Sequence, residues 1–184
     1  MPHILPPILK FKTKKMKTFP FLIVTCLIAC STFSLNAQKA ELLSVLPQTK
    51  EEFIASEKNL LATIDWLENT PINEETELRK ANNALFVAWV TNSPTVTIEI
   101  SAKVLDFTKK NQELLVLFMA GWTRYSLLNN YSKDAVQGSI AGIRCAIKSY
   151  NLGGYKKDKE MQKLIDLDVN GGLEKWVADK LSGK

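Results

Sequence analysis

The 184-residue chain contains one histidine, His3, so everything after it must work without imidazole. This excludes Ser–His and Cys–His nucleophilic pairs, the commonest general base, and zinc sites built on histidine. Carboxylates are the remaining acid–base pool. Glu99, Asp106 and Glu113 form the candidate set, with Glu99 and Asp106 separated by two helical turns in sequence. Two carboxylates can run glycoside hydrolysis, but this spacing is equally that of a solvated helix face. Cys145 is the sole cysteine after Ala37, so that stretch can form no internal disulfide. Arg144 beside it would lower a thiol pKa; the competing reading is a small buried hydrophobe.

Asp166-Leu-Asp168-Val-Asn170-Gly171 carries a mechanism in its spacing. It matches the first six positions of an EF-hand calcium loop, whose alternate side chains supply oxygen ligands, and Leu173 fits the apolar eighth position. The bidentate acid at the twelfth position is missing: Val177 stands there, with Glu174 too early and Asp179 too late. Asp166, Asp168 and Asn170 are therefore candidate Ca²⁺ ligands, weighed against a plain interhelical turn rich in Asp, Asn and Gly. Trp122, Arg124 and Tyr125 are a candidate partner-binding edge, since aromatic residues and arginine concentrate at interface hot spots. Against this, Trp122 sits in the most apolar segment and is as well placed for the core. Lys156, Lys157, Lys159 and Lys163 read as a solvated face.

The elements that position these residues begin after a leader. Met16-Lys17-Thr18 is a short positive region, Phe19 to Cys30 is an apolar run of 12 residues, and Ser31 to Ala37 is small and more polar. That is the three-part pattern of a secretory signal peptide. Its apolar run is shorter than the ~20 residues a membrane-spanning helix needs. Met16 is the expected start, cleavage after Ala37 the expected processing, and residues 1–15 an upstream extension. Leu27-Ile28-Ala29-Cys30 offers the alternative of a bacterial lipobox, with Cys30 lipidated.

The leader changes the electrostatics. The whole chain has a net charge of +5, but lysines 10, 12, 14, 15 and 17 all precede the cut. From Gln38 onward 19 basic residues meet 19 acidic ones. Phosphate attraction, the bulk of non-specific nucleic-acid affinity, then has no support, and nucleic acid is excluded as a partner. Residues 38–78 carry 9 acids and 3 lysines, and residues 79–184 carry 10 acids and 16 bases, so the first part is net acidic and the second net basic.

The region 38–184 reads as one all-α domain of six to seven helices in αα-hairpins. Thr49 and Glu52 form a capping box for a helix carrying Phe53, Leu60, Ile64 and Leu67. Asn73 caps a second, with Leu78, Ala81, Leu85 and Trp89 inward. Ser93-Pro94 opens a third, in which Val96, Ile100, Val104 and Phe107 share a face, although its β-branched start rivals a strand. Leu114 to Ala120 is a helix buried nearly all round. Ser132 caps a fifth, with Val136, Ile140, Ile143, Ile147 and Tyr150 on one stripe and small residues Ala135, Ser139, Gly142 and Ala146 on the next. A sixth covers about 157–167 and a seventh about 173–181. Starts at Thr49, Ser93 and Ser132 permit a short solenoid of helix pairs as a variant, but Arg124 and Lys133 occupy positions where the tetratricopeptide pattern wants tyrosine and alanine.

The expectation is an exported, non-enzymatic helical domain, periplasmic, secreted or lipid-anchored at the bacterial envelope, that binds a protein or small ligand. No cofactor is expected beyond the Ca²⁺ considered above, and no membrane span after the cut. The alternatives are a small carboxylate-based hydrolase or lyase and a calcium-stabilised structural module.

Overall fold

The structure is a computed structural model that describes residues 41–184. The leader, the cut after Ala37 and Cys30 lie outside the described residues. Among those described there are six α-helices and no strand: α1 (Lys50–Asn69), α2 (Thr76–Asn92), α3 (Leu114–Leu128), α4 (Ala135–Asn151), α5 (Lys159–Val169) and α6 (Leu173–Ser182). None is long and apolar enough to cross a membrane.

α1 begins at the expected capping box. Thr49 Oγ1 accepts from the Glu52 amide at 3.3 Å while the Glu52 carboxylate accepts from the Thr49 amide at 3.4 Å. It ends at Thr70, before Pro71, because proline disfavours helical backbone in the residue preceding it. Phe53, Leu60, Ile64 and Leu67 are buried as their spacing requires. Arg79, on α2, then serves as the clasp for this helix end. Its buried guanidinium donates to the carbonyls of Leu67 (3.2 Å), Thr70 and Pro71, and lies 5.4 Å from the Trp66 ring. The Leu67 carbonyl belongs to the last turn of α1, which carries the negative end of the helix dipole, so the cation there both satisfies a carbonyl and meets the dipole.

α2 starts later than its sequence suggests. Asn73 does not cap it; Glu75 stands at the N-cap position in left-handed backbone with φ 45°, without a side-chain capping bond. In this helix Leu78 faces outward (41% exposed), and Arg79, Asn82, Phe86, Trp89 and Val90 are inside.

The expected third helix is absent. Residues 93–113 run as extended chain with two 3₁₀ turns, Ala102–Val104 and Asp106–Thr108. Ser93 Oγ does accept from the amides of Thr95 and Val96, at 3.3 and 3.0 Å. The β-branched run Thr95-Val96-Thr97-Ile98 then keeps the chain from continuing as a helix, in line with its strand preference. Val96, Val104 and Phe107 are still buried, while Ile100 is exposed. With this helix goes the recurrence on which the solenoid variant stood. Consecutive helices pair as α1–α2, α3–α4 and α5–α6, with α1 also packed on α3 and α4.

α3 and α4 share the most extensive contact. Gly142, in the small stripe expected on α4, allows the close approach its spacing implied, since a Cβ there would lie 2.6 Å from the Phe118 carbonyl oxygen; Gly121 and Gly138, not expected in this role, act likewise. A Cβ on Gly121 of α3 would lie 2.3 Å from the Ala141 carbonyl oxygen and 2.6 Å from Cys145 Cβ. One on Gly138 of α4 would strike the buried Trp122 ring at 2.3 Å. α4 is capped by Asp134, whose carboxylate accepts from the amides of Val136 and Gln137 at 2.9 Å; the expected cap Ser132 instead supports Asp134.

Candidate functional site

The acids first considered for catalysis do not assemble. Glu99 lies in extended chain, and Asp106 opens a 3₁₀ turn and pairs with Lys109 at 2.6 Å. That bond, and the charge of Lys109, hold the Asp106 carboxyl below its usual value. The two helical turns that would have aligned these carboxylates are not formed.

The calcium motif is remodelled because α5 runs through it to Val169. Asp166 and Asp168 are helical residues two apart, a spacing that does not share a face. Asp166 accepts from Gln162 at 3.0 Å and Asp168 from Arg144 at 2.8 Å. Asn170 ends the helix and donates back to the Asp166 carbonyl at 2.7 Å. Asp166 and Asn170 do share an open depression of about 420 Å³, but with Lys159 and Lys163 on its wall, cations that would oppose calcium. Arg144, engaged by Asp168, is likewise not the partner of Cys145.

The proposed partner-binding edge divides. Trp122 is 1% exposed and packs edge-on to Phe118 with ring centres 5.9 Å apart. Arg124 and Tyr125 are half-buried. Arg124 is turned onto α1, one guanidinium nitrogen on Glu68 and the other on Asp65 at 3.0 Å. The second oxygen of Glu68 takes Lys148 of α4. Burial alone would push the Glu68 carboxyl up. Hydrogen bonds from Lys148, Arg124 and the Cys145 thiol, with the Arg124 charge, outweigh it and hold the group ionised below its usual value. Burial first, and then the Glu68 charge, push the Cys145 thiol well above its usual value. This cluster is therefore a fixed ionic tie among three helices: its acid is a poor base and its thiol a poor nucleophile.

A different arrangement is open to solvent. A cavity of about 640 Å³ lies between the chain entering α3 and the turn from α4 into α5. Lys110 contributes from one side, and Tyr150, Gly153 and Tyr155 from the end of α4 and its turn. Lys157, Asp158, Lys159 and Gln162 complete it from the start of α5. Four fixtures hold its walls. The buried Asn111 amide clamps the Lys156 backbone, donating to its carbonyl at 2.9 Å and accepting from its N–H at 2.8 Å. Tyr150 accepts from the Asp158 amide at 3.1 Å, and Tyr155 and Ser149 share a hydroxyl hydrogen bond of 2.8 Å. Asp158 caps α5 by accepting from the Glu160 amide at 2.9 Å. The two tyrosine rings stack, centres 5.7 Å apart at 27°. Burial raises the Tyr155 phenol above its usual value, so it stays protonated at neutral pH.

Lys110, Lys157 and Lys159 are exposed, and none takes part in an ion pair among the described residues. Lys157 and Lys159 were visible in sequence as a solvated face. Lys110 and the tyrosines were not, because it takes the Asn111 clamp to bring positions 45 residues apart together. No protein-family model, curated protein or solved structure matches this chain.

Proposed function

We propose that the protein is an exported, non-enzymatic helical module that binds a ligand or protein partner in the bacterial cell envelope. The reading of export rests on the leader pattern, with cleavage after Ala37 and lipidation at Cys30 as the alternative outcome. The reading of binding rests on one observation: the cavity beside Tyr150 and Tyr155, whose walls are fixed by backbone and side-chain hydrogen bonds before anything enters. Such preorganisation lowers the ordering cost of binding. A carboxylate-based hydrolase finds less support. Glu68 and Asp158 are the buried acids among the described residues; one is saturated by two cations and the other caps a helix.

The test is site-directed photocrosslinking in cells of the tagged full chain, followed by fractionation. A crosslinker at Lys157 is expected to capture a discrete envelope component, and one at Lys58, on α1, to capture none. Retention in the cytoplasm with residues 16–37 intact would overturn export. Equal, diffuse labelling from both positions would overturn binding at this face.

A further inference from the structure

We propose that the cavity between the chain entering α3 and the α4–α5 turn binds a small ligand carrying an oxyanion on a flat, partly apolar body, that is, a glycosyl or aryl phosphate or carboxylate. This rests on the binding-module reading above and adds the ligand class. Lys110, Lys157 and Lys159 all line this one concavity; the Lys110 ammonium donates to the Lys157 carbonyl at 3.5 Å, and none of the three is paired with a carboxylate among the described residues. A cleft whose unpaired side-chain charges are of one sign concentrates counter-ions. The one acid in the lining, Asp158, is turned to the α5 amides as their cap. Ammonium groups act as compact charges with rotatable donors and suit phosphate and carboxylate alike, without the two-pronged geometry of arginine.

The tyrosines define the rest of the ligand. Their hydroxyls are occupied, Tyr155 with Ser149 and Tyr150 with the Asp158 amide, and the two rings stack on each other, so what the pair adds to the cavity wall is aromatic surface and not free hydroxyls. A sugar ring or an aryl group fits such a wall. The volume of about 640 Å³ is that of a site for one small molecule. An extended polyanion is disfavoured, because the chain from Gln38 onward has as many acids as bases.

The test is calorimetry on the full chain, carrying a tag after Lys184 and purified as cells process it. The probes are phenyl phosphate, phenyl β-D-glucuronide, the neutral phenyl β-D-glucoside and inorganic phosphate. Either anionic phenyl compound is expected to bind more tightly than the glucoside and than inorganic phosphate, and the tighter of the two identifies phosphate or carboxylate as the preferred head. K157A and K159A are each expected to weaken that binding about two- to fivefold, the range for exposed ion pairs. Added salt should weaken it too. Both lysines are exposed, so an unchanged melting temperature keeps the comparison valid. Equal affinity for glucuronide, glucoside and phosphate compounds, or full affinity in the K157A/K159A double variant, overturns the oxyanion class while binding itself stands. Inorganic phosphate matching phenyl phosphate overturns the role of the tyrosine wall. No heat with any probe at millimolar concentration overturns the site, and the crosslinking experiment then still decides whether the module binds a protein partner.

Discussion

Arg124 of α3 holds Glu68 of α1 with one guanidinium nitrogen and Asp65, three residues earlier, with the other at 3.0 Å. Lys148 of α4 completes the tie on the free oxygen of Glu68. The Glu68 side chain is 3% exposed while Arg124 and Lys148 retain 27% and 52%, so one desolvated charge is met by two that still reach water. Removing one member of a fully buried pair costs about 3–5 kcal/mol. The exposure of both cations lowers the expectation for Glu68→Ala to about 2–3 kcal/mol. Urea unfolding followed by tryptophan fluorescence checks this, with the slope unchanged and the midpoint moved down.

The same carboxylate sets a pH dependence. Its native pKa lies below the usual glutamate value, so on acidification the unfolded chain takes up the proton first. The stabilisation is complete above the usual carboxylate range and disappears as pH falls through the lower native value. Glu68→Gln should therefore narrow the gap between stability at neutral pH and at acid pH. Urea midpoints of both proteins across that range measure it; parallel curves would contradict it.

Gly121→Ala tests the α3–α4 contact. In an exposed helix alanine would be favoured by about 1 kcal/mol. Here the new Cβ meets a backbone oxygen at 2.3 Å and Cys145 Cβ at 2.6 Å, and neither is the free end of a flexible side chain. Overpacking of this kind costs about 1–3 kcal/mol, so a lower melting temperature is expected, not a higher one.

Cys145 is expected to be silent toward thiol reagents in the native protein, being 1% exposed with its pKa pushed up by burial. Labelling with an aromatic disulfide should track global unfolding across a urea series. Rapid labelling of native protein would show a reactive thiol and contradict the structure.

Much of the fold was legible where local chemistry decides it. The Thr49–Glu52 box, the buried face of α1 and the stripe Ser139, Gly142 and Ala146 of α4 all follow from sequence spacing, whereas Gly121 and Gly138 did not stand out. The expected helix after Pro94 failed because four consecutive β-branched residues outweighed the spacing of Val96, Ile100, Val104 and Phe107, of which three are buried from irregular chain and Ile100 is exposed. α5 extends two residues beyond its expected end, so Asp166 and Asp168 stand on the helix and not in an interhelical turn. The ionic tie was hidden for another reason: Glu68 reads as a surface acid until Arg124 and Lys148, 56 and 80 positions away, arrive beside it. The cavity was hidden in the same way, since its lysines acquire meaning only when Asn111 and the hydroxyl of Tyr150 fix the α4–α5 turn against the entry to α3.

Residue-resolved NMR of the chain during titration with phenyl phosphate tests the central claim, that binding is seated in this cavity. The account predicts saturating shifts at Tyr150, Gly153, Tyr155, Lys157 and Gln162, with Glu68 and Trp122 unmoved. Shifts centred on Arg124 and Tyr125, or none in the cavity at millimolar ligand, would contradict it.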